Sequence, residues 1–95
     1  MKLDSIIIKI VKQLKSDGNL SKDIKVNDKT YLTGDKSPFD SVAFVQFTSY
    51  LEVEISKFIK KNFFIILNEI PEFKKNSKTF TIGNMKKFLI KKIKL

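Results

Sequence analysis

The sequence contains no cysteine and no histidine. Their absence excludes disulfides, thiol chemistry and zinc sites built from these ligands. It also removes the histidine general base and the cysteine nucleophile, so we expect a protein that is not an enzyme. No apolar run approaches the roughly 18–20 residues of a membrane-spanning helix. Lys9 and Lys12 interrupt the first isoleucine-rich stretch, which is atypical of a signal peptide. We therefore expect a cytoplasmic protein without stable membrane insertion.

Arginine is also absent, so lysine supplies all the positive side-chain charge of a chain whose net charge is +9. Proteins that read nucleic acid commonly use arginine, because its guanidinium group binds phosphate and guanine with two parallel hydrogen bonds. We therefore expect no specific nucleic-acid partner. A basic helical module that binds nucleic acid or other polyanions remains an alternative, and its affinity would fall steeply with salt.

The length of 95 residues is that of one domain, residues 1–95, with a modest core. Apolar residues recur at helical spacing in the first part of the chain: Leu3, Ile6, Ile7, Ile10, Val11 and Leu14. This stripe predicts a first amphipathic helix that ends at residues 17–19, where Gly18 suits a C-terminal cap. Residues 19–39 form a long polar connection, which we expect to be pinned to the core by its spaced apolar residues, Leu20, Ile24, Val26, Tyr31 and Leu32.

Residues 37–47 predict a loop that turns into a helix. Pro38 biases the residue before it away from helical dihedrals, and Asp40 is a preferred N-cap. Phe39 and Phe44 then have the spacing of a hydrophobic staple. Ser41 falls in the first helical turn, where the helix dipole favours an attached anion. Taken alone, an Asp-Ser pair at this position is most often a cap and nothing more.

The second helix is predicted over residues 41–60. One face should be buried: Phe44, Phe47, Thr48, Leu51, Ile55 and Phe58. The opposite face has Val45 and Glu52 at its edge and consists of Val42, Gln46, Ser49, Val53 and Ser56. Its valines are either isolated exposed side chains or part of a docking face for partner enzymes. We favour the docking face.

The last third of the chain predicts a short helix and a longer one. Residues 62–67 form an apolar run that periodicity assigns neither to an extended segment nor to a helix. Pro71 then suits the first turn of a short helix within residues 68–73. Thr81 caps the last helix, whose buried stripe is Ile82, Met85, Leu89 and Ile93. Its basic C-terminal end is also compatible with an anionic membrane surface.

Two segments carry a resemblance to a known family. Residues 37–51, with the triplet Asp40-Ser41-Val42, resemble the prosthetic-group region of acyl carrier proteins. Residues 76–85, with Thr81-Ile82-Gly83-Asn84-Met85, resemble the segment that leads into the last helix of that family. The resemblance implies an all-α fold, a small up-and-down bundle of three main helices plus one short helix, with a long first loop. It also implies that residues 62–67 are extended and pack under the bundle.

The resemblance further implies a carrier function. Ser41 would receive 4′-phosphopantetheine from coenzyme A by the action of a phosphopantetheinyl transferase. The arm would then hold an acyl or aminoacyl group as a thioester for acyl-loading and acyl-transferring enzymes. Asp40 would help to position the transferase's metal-bound coenzyme A, and Phe39 and Val42 would flank the arm. We expect no metal site in the chain itself, and we expect a monomer.

The expected docking residues are Val45, Gln46, Ser49, Glu52 and Val53. This face is less acidic than is typical of the family, which favours a dedicated set of partners in a lipid, polyketide or cell-surface biosynthetic pathway over general fatty acid biosynthesis. A carrier-like fold that never receives the arm and serves only in protein interaction is a further alternative.

Overall fold

The structure, a computed structural model, describes residues 3–93, so the ends of the predicted domain 1–95 lie outside the described residues. Within that range it contains α1 (Leu3–Ser16), α2 (Ser41–Ile59), α3 (Pro71–Lys75) and α4 (Ile82–Lys92). A 3-10 helix, Leu67–Glu69, precedes α3. Residues 3–93 form no β-strand, and the all-α prediction is confirmed for them.

Helix α1 has the predicted stripe and the predicted end. The stripe is buried at Leu3, Ile7, Ile10, Val11 and Leu14. Gly18 adopts a φ of 80°, the left-handed conformation that glycine reaches without a steric penalty. The N–H of Asn19 donates to the carbonyl of Leu14 at 2.9 Å, and that of Gly18 donates to Lys15 at 3.2 Å. These two hydrogen bonds form a Schellman motif, which satisfies carbonyls at the end of α1.

Helices α1 and α2 pack in antiparallel directions. The ammonium of Lys9 lies 2.6 Å from a carboxylate oxygen of Glu54, near the end of α2. Asn19, just past the end of α1, donates its side-chain amide to Gln46 at 2.6 Å, near the start of α2. Because the residue number of the contact on α2 falls as that on the α1 side rises, the two helices run in opposite directions.

Helix α2 buries a narrower stripe than the sequence predicted. Its fully buried residues are Ala43, Phe47, Leu51 and Ile55. Phe44 and Thr48 are half-buried, and the prediction that Phe58 is buried is wrong, because its exposed fraction is 52%. Phe58 lies one turn beyond Ile55, the last buried residue of the helix. There α2 ends, with Lys60 in a left-handed conformation at a φ of 60°.

The first loop is pinned to the core as predicted. Leu20 and Leu32 are buried, and the loop's other apolar residues, Ile24, Val26 and Tyr31, are half-buried. The N–H of Leu32 donates to the carbonyl of Phe80 at 2.7 Å, and that of Ile82 donates to Thr30 at 3.0 Å. These hydrogen bonds fix the loop to the start of α4.

At Gly83 the first loop lies close to α4. Its N–H donates to the carbonyl oxygen of Asp28 at 2.8 Å. A Cβ atom at this position would lie 2.9 Å from the same oxygen, closer than real Cβ contacts. The glycine of the Thr-Ile-Gly run therefore allows the backbones of the loop and α4 to approach each other.

Residues 62–66 are extended, which settles the choice that the sequence left open. Leu67, which the resemblance placed in the extended segment, instead begins the 3-10 helix. Phe63 and Ile65 are buried, whereas Phe64 and Ile66 are exposed, the period-two pattern of extended backbone. Pro71 is the first residue of α3, as predicted for the short helix.

Helix α4 begins at the predicted cap. The Thr81 hydroxyl accepts from the N–H of Asn84, whose side chain accepts in return from the N–H of Thr81. Such a reciprocal pair is a capping box. The predicted stripe is buried at Ile82, Met85 and Leu89, and half-buried at Ile93.

Candidate functional site

The start of α2 is set by two side chains of the loop. Asp40 is the N-cap, and its carboxylate accepts from the N–H of Ala43 at 2.8 Å, which confirms the predicted cap. Before it, the hydroxyl of Ser37 donates to the carbonyl of Tyr31 at 2.7 Å and accepts from the N–H of Phe39 at 2.9 Å. The chain therefore enters α2 along a path held by hydrogen bonds on both sides of Pro38.

Phe39 anchors this junction from inside. Its exposed fraction is only 5%, and its ring meets that of Phe47 edge to face, with the centroids 5.5 Å apart. The predicted staple paired Phe39 with Phe44, but the aromatic partner in the structure is Phe47, one turn further along α2. The expectation that Phe39 flanks an arm on Ser41 needs correction, because the ring belongs to the core.

Ser41 is the first residue of α2, and its side chain is exposed. Val42 beside it is 57% exposed. The hydroxyl thus lies at the end of the helix where free N–H groups and the macrodipole favour a negative group. The arrangement presents an accessible serine on a fixed helix start, next to the Asp40 carboxylate.

The predicted docking residues fall into two groups. Val45, Ser49 and Val53 are exposed, and with Val42 they follow one face of α2 that begins beside Ser41. We call these four residues the valine face. A long exposed apolar surface on a helix that already has a buried stripe is available for contact with another molecule.

Gln46 and Glu52 are half-buried and are engaged within the molecule. Gln46 accepts the side-chain amide of Asn19, which links α2 to the end of α1. Glu52 accepts the backbone N–H of Ile65 at 2.7 Å, which holds the extended segment against α2. Both side chains therefore have a structural role in addition to any role in docking.

The remaining carboxylate of this half of α2 is also paired. Glu54 lies between the ammonium groups of Lys9, at 2.6 Å, and Lys57, at 3.4 Å. The hydrogen bond from Lys9, with that from Lys57, holds the pKa of Glu54 below its ordinary value, although partial burial opposes the shift. The charge of Glu54 is therefore balanced by ammonium groups, whereas Glu52, whose partner is a neutral N–H, keeps its negative charge.

Two exposed residues that the sequence did not single out lie next to α2. Phe64 is 67% exposed and Ile66 is also exposed, on a segment tied to α2 at both Phe63 and Ile65. The hydroxyl of Ser56 accepts from the N–H of Phe63 at 2.9 Å. The five consecutive apolar residues at 63–67 gave no sign of which of them face outward, because that alternation appears only once the segment is known to be extended.

Within residues 3–93, no group of three or more acidic side chains is placed to hold a metal ion. In the same range, none of the helices is both long and apolar enough to cross a membrane.

No family model matches the chain, and no curated protein or solved structure matches it either. The site is therefore interpreted from its own geometry and from the sequence resemblance.

Proposed function

We propose that the protein is a carrier protein whose attachment point is Ser41. The observation that supports this most directly is an exposed serine at the first position of α2, directly after a carboxylate cap and beside exposed Val42. A structural cap requires Asp40 alone. It does not require an accessible hydroxyl next to it, followed by a face of exposed valines.

The residues at the start of α2 fit a covalently attached 4′-phosphopantetheine arm. The Ser41 hydroxyl is accessible for esterification, and the positive end of the α2 dipole favours the negative charge of a phosphodiester. When bound, the arm supplies a terminal thiol that holds an acyl or aminoacyl group as a thioester. Asp40 holds the helix start in place, and its carboxylate would help to position the transferase's metal-bound coenzyme A. Val42 is the exposed apolar neighbour of the arm.

The protein itself supplies no catalytic group in this proposal. The phosphopantetheinyl transferase activates the serine hydroxyl and brings coenzyme A and its metal ion. The carrier role requires no catalytic histidine or cysteine, and the chain contains neither. Its tasks are to present Ser41 and to be recognised.

The arrangement of helices supports an acyl-carrier-like bundle. Antiparallel α1 and α2 are joined by a long pinned loop, and short α3 precedes a final α4 whose start is fixed to that loop. This order and these lengths agree with the up-and-down bundle that the resemblance implies. The loop's function would be to deliver Ser41 at a defined place.

Partner enzymes would dock on the valine face, with an apolar rather than a strongly basic surface. Val45 and Val53 would supply apolar contact, and Ser49 would lie between them. The ammonium groups of Lys9 and Lys57 balance the charge of Glu54, which reduces the negative charge available to attract a basic patch. A monomeric carrier in the cytoplasm that serves one dedicated pathway for lipid, polyketide or cell-surface synthesis fits these features.

The test is the intact mass of the protein after incubation with coenzyme A, magnesium and a broad-specificity phosphopantetheinyl transferase. We expect a phosphopantetheine adduct on the wild type and none on Ser41→Ala. The Ser5→Ala variant is the matched control, because it removes an exposed serine from the first turn of another helix, α1, and should be modified normally. If several transferases leave the folded wild type unmodified, the interaction-only or polyanion-binding alternatives would be favoured.

A further inference from the structure

A second surface feature lies between α1 and the first loop, and no residue of α2 lines it. It is a groove of about 330 Å³. Its floor is aliphatic on both sides: Ile7, Ile8 and Val11 from α1, and Ile24 and Val26 from the loop. The proposed carrier function uses none of these residues.

The floor is open to a ligand. Ile7 and Val11 belong to the buried core, but Ile8 is 56% exposed, and Ile24 and Val26 are half-buried. Such partly exposed aliphatic side chains, brought together by two different segments, leave apolar area that a ligand would remove from water.

The polar rim of the groove is cationic. The three charged residues that line it are Lys12, Lys15 and Lys25, and no acidic residue lines it. Lys15 is fixed by donating to the carbonyl of Ile24 at 2.6 Å, a contact that uses one of the three N–H groups of its ammonium. Asp23 is the nearest acid in sequence to the loop side of the groove, and it is exposed and outside the lining.

We propose that this groove binds a fatty-acid anion, with the alkyl chain on the aliphatic floor and the carboxylate among the lysines. The combination of an apolar floor and an exclusively cationic rim is complementary to a chain with one negative end. The concave shape fits a single chain better than a bilayer surface, which requires apolar side chains that protrude. The proposal does not depend on the modification of Ser41.

The experiment is a titration of the full chain bearing Ser41→Ala with dodecanoate below its micelle concentration, followed by methyl NMR. We expect saturable shifts confined to the floor residues, including Ile8, Ile24 and Val26. Dodecanol, which has the same chain without the charge, should bind at least about fivefold more weakly, the factor that corresponds to loss of one exposed charge contact. The Ser41→Ala background ensures that no arm contributes.

Charge-reversal variants distinguish binding in the groove from nonspecific attraction to the basic protein. Lys12→Glu combined with Lys25→Glu should weaken binding about tenfold or more, because it reverses two rim charges. Lys74→Glu combined with Lys75→Glu makes the same change in net charge on exposed α3 and should leave binding unchanged. Ile8→Asp, at an exposed position, should abolish binding without unfolding the protein and tests the floor separately.

Several results would overturn the proposal. Equal weakening by both lysine pairs would mean nonspecific attraction. Shifts centred on the methyl groups of Leu51 and Ile55 would mean that the chain enters the bundle core instead. Absence of dodecanoate binding, with sedimentation on phosphatidylglycerol vesicles that Ile8→Asp removes, would assign the groove to a membrane surface. Absence of both would mean that it binds neither ligand.

Discussion

A carboxylate oxygen of Glu52 accepts a hydrogen bond from the backbone N–H of Ile65 at 2.7 Å. This bond joins α2 to the extended segment. A second hydrogen bond, from the N–H of Phe63 to the hydroxyl of Ser56, lies one turn further along α2. The segment therefore folds back along α2, because its residue numbers rise as those of α2 fall. A residue that the sequence assigned to partner docking is thus also a structural link.

Removing this link should destabilise the protein. We expect Glu52→Ala to lower the free energy of unfolding by about 1–2 kcal/mol, because the partly buried N–H of Ile65 loses its acceptor. Glu52→Gln retains an acceptor oxygen and should lose less. Urea unfolding followed by circular dichroism measures both. Equal losses in the two variants would mean that the negative charge, not the hydrogen bond, stabilises this region.

Two substitutions of Asp40 can separate its role as N-cap from its proposed role in the modification of Ser41. Asparagine is as good an N-cap as aspartate, so Asp40→Asn should keep the stability of α2, whereas Asp40→Ala should cost about 1 kcal/mol. If the carboxylate also positions the transferase's coenzyme A, Asp40→Asn should be modified far more slowly than the wild type. Mass spectrometry of a time course measures this rate. Normal modification of Asp40→Asn would restrict Asp40 to capping.

The valine face should be needed for recognition but not for folding. Val42→Asp introduces a charge at an exposed position, so we expect a helical circular dichroism spectrum and weaker modification or partner binding. Ile90→Asp is the matched control, because it changes an exposed isoleucine on α4 in the same way. A Val42→Asp protein that is modified as fast as this control would remove the valine face from the docking proposal.

Gly83 should not tolerate a methyl group although it lies in a helix. Alanine favours the helix by about 1 kcal/mol over glycine, but its Cβ would lie 2.9 Å from the Asp28 carbonyl oxygen. Because that oxygen belongs to backbone tied to the same N–H, we expect Gly83→Ala to destabilise by about 1–3 kcal/mol. Lys87→Ala, at an exposed position of α4, should change stability by no more than about 0.5 kcal/mol. Thermal unfolding of both variants tests this, and a stabilised Gly83→Ala would contradict the close approach.

The Glu54 pair predicts a pH dependence. Its pKa is lowered in the folded protein, so its contribution to stability is present above the ordinary value of 4.5 and is lost as pH falls through the lower, folded value. Glu54→Gln should therefore be less stable than the wild type near neutral pH, and the difference should shrink below pH 4.5. Asp35→Asn, which removes one negative charge from an exposed loop position, is the matched control. A difference that is constant from pH 3 to 7 would exclude this role for the ion pair.

The sequence determined those features that depend on local patterns. The stripes of α1 and α4, the Gly18 and Thr81 caps and the Asp40 cap with Ser41 directly after it all follow from residue type and spacing. Each involves groups within a few residues of one another, so short-range geometry suffices.

Only the tertiary structure decided the features that join distant segments. Phe58 has the angular position of a core residue, yet it is exposed, whereas Ile59 beside it packs against the core. From the sequence, Glu52 is a surface charge. In the structure it accepts a hydrogen bond from the N–H of Ile65, which belongs to a segment whose conformation periodicity did not specify. The groove between α1 and the first loop likewise exists only because Leu20 and Leu32 pin that loop to the core. Helical spacing tells which residues share a face, whereas the packing of other segments determines which faces are covered.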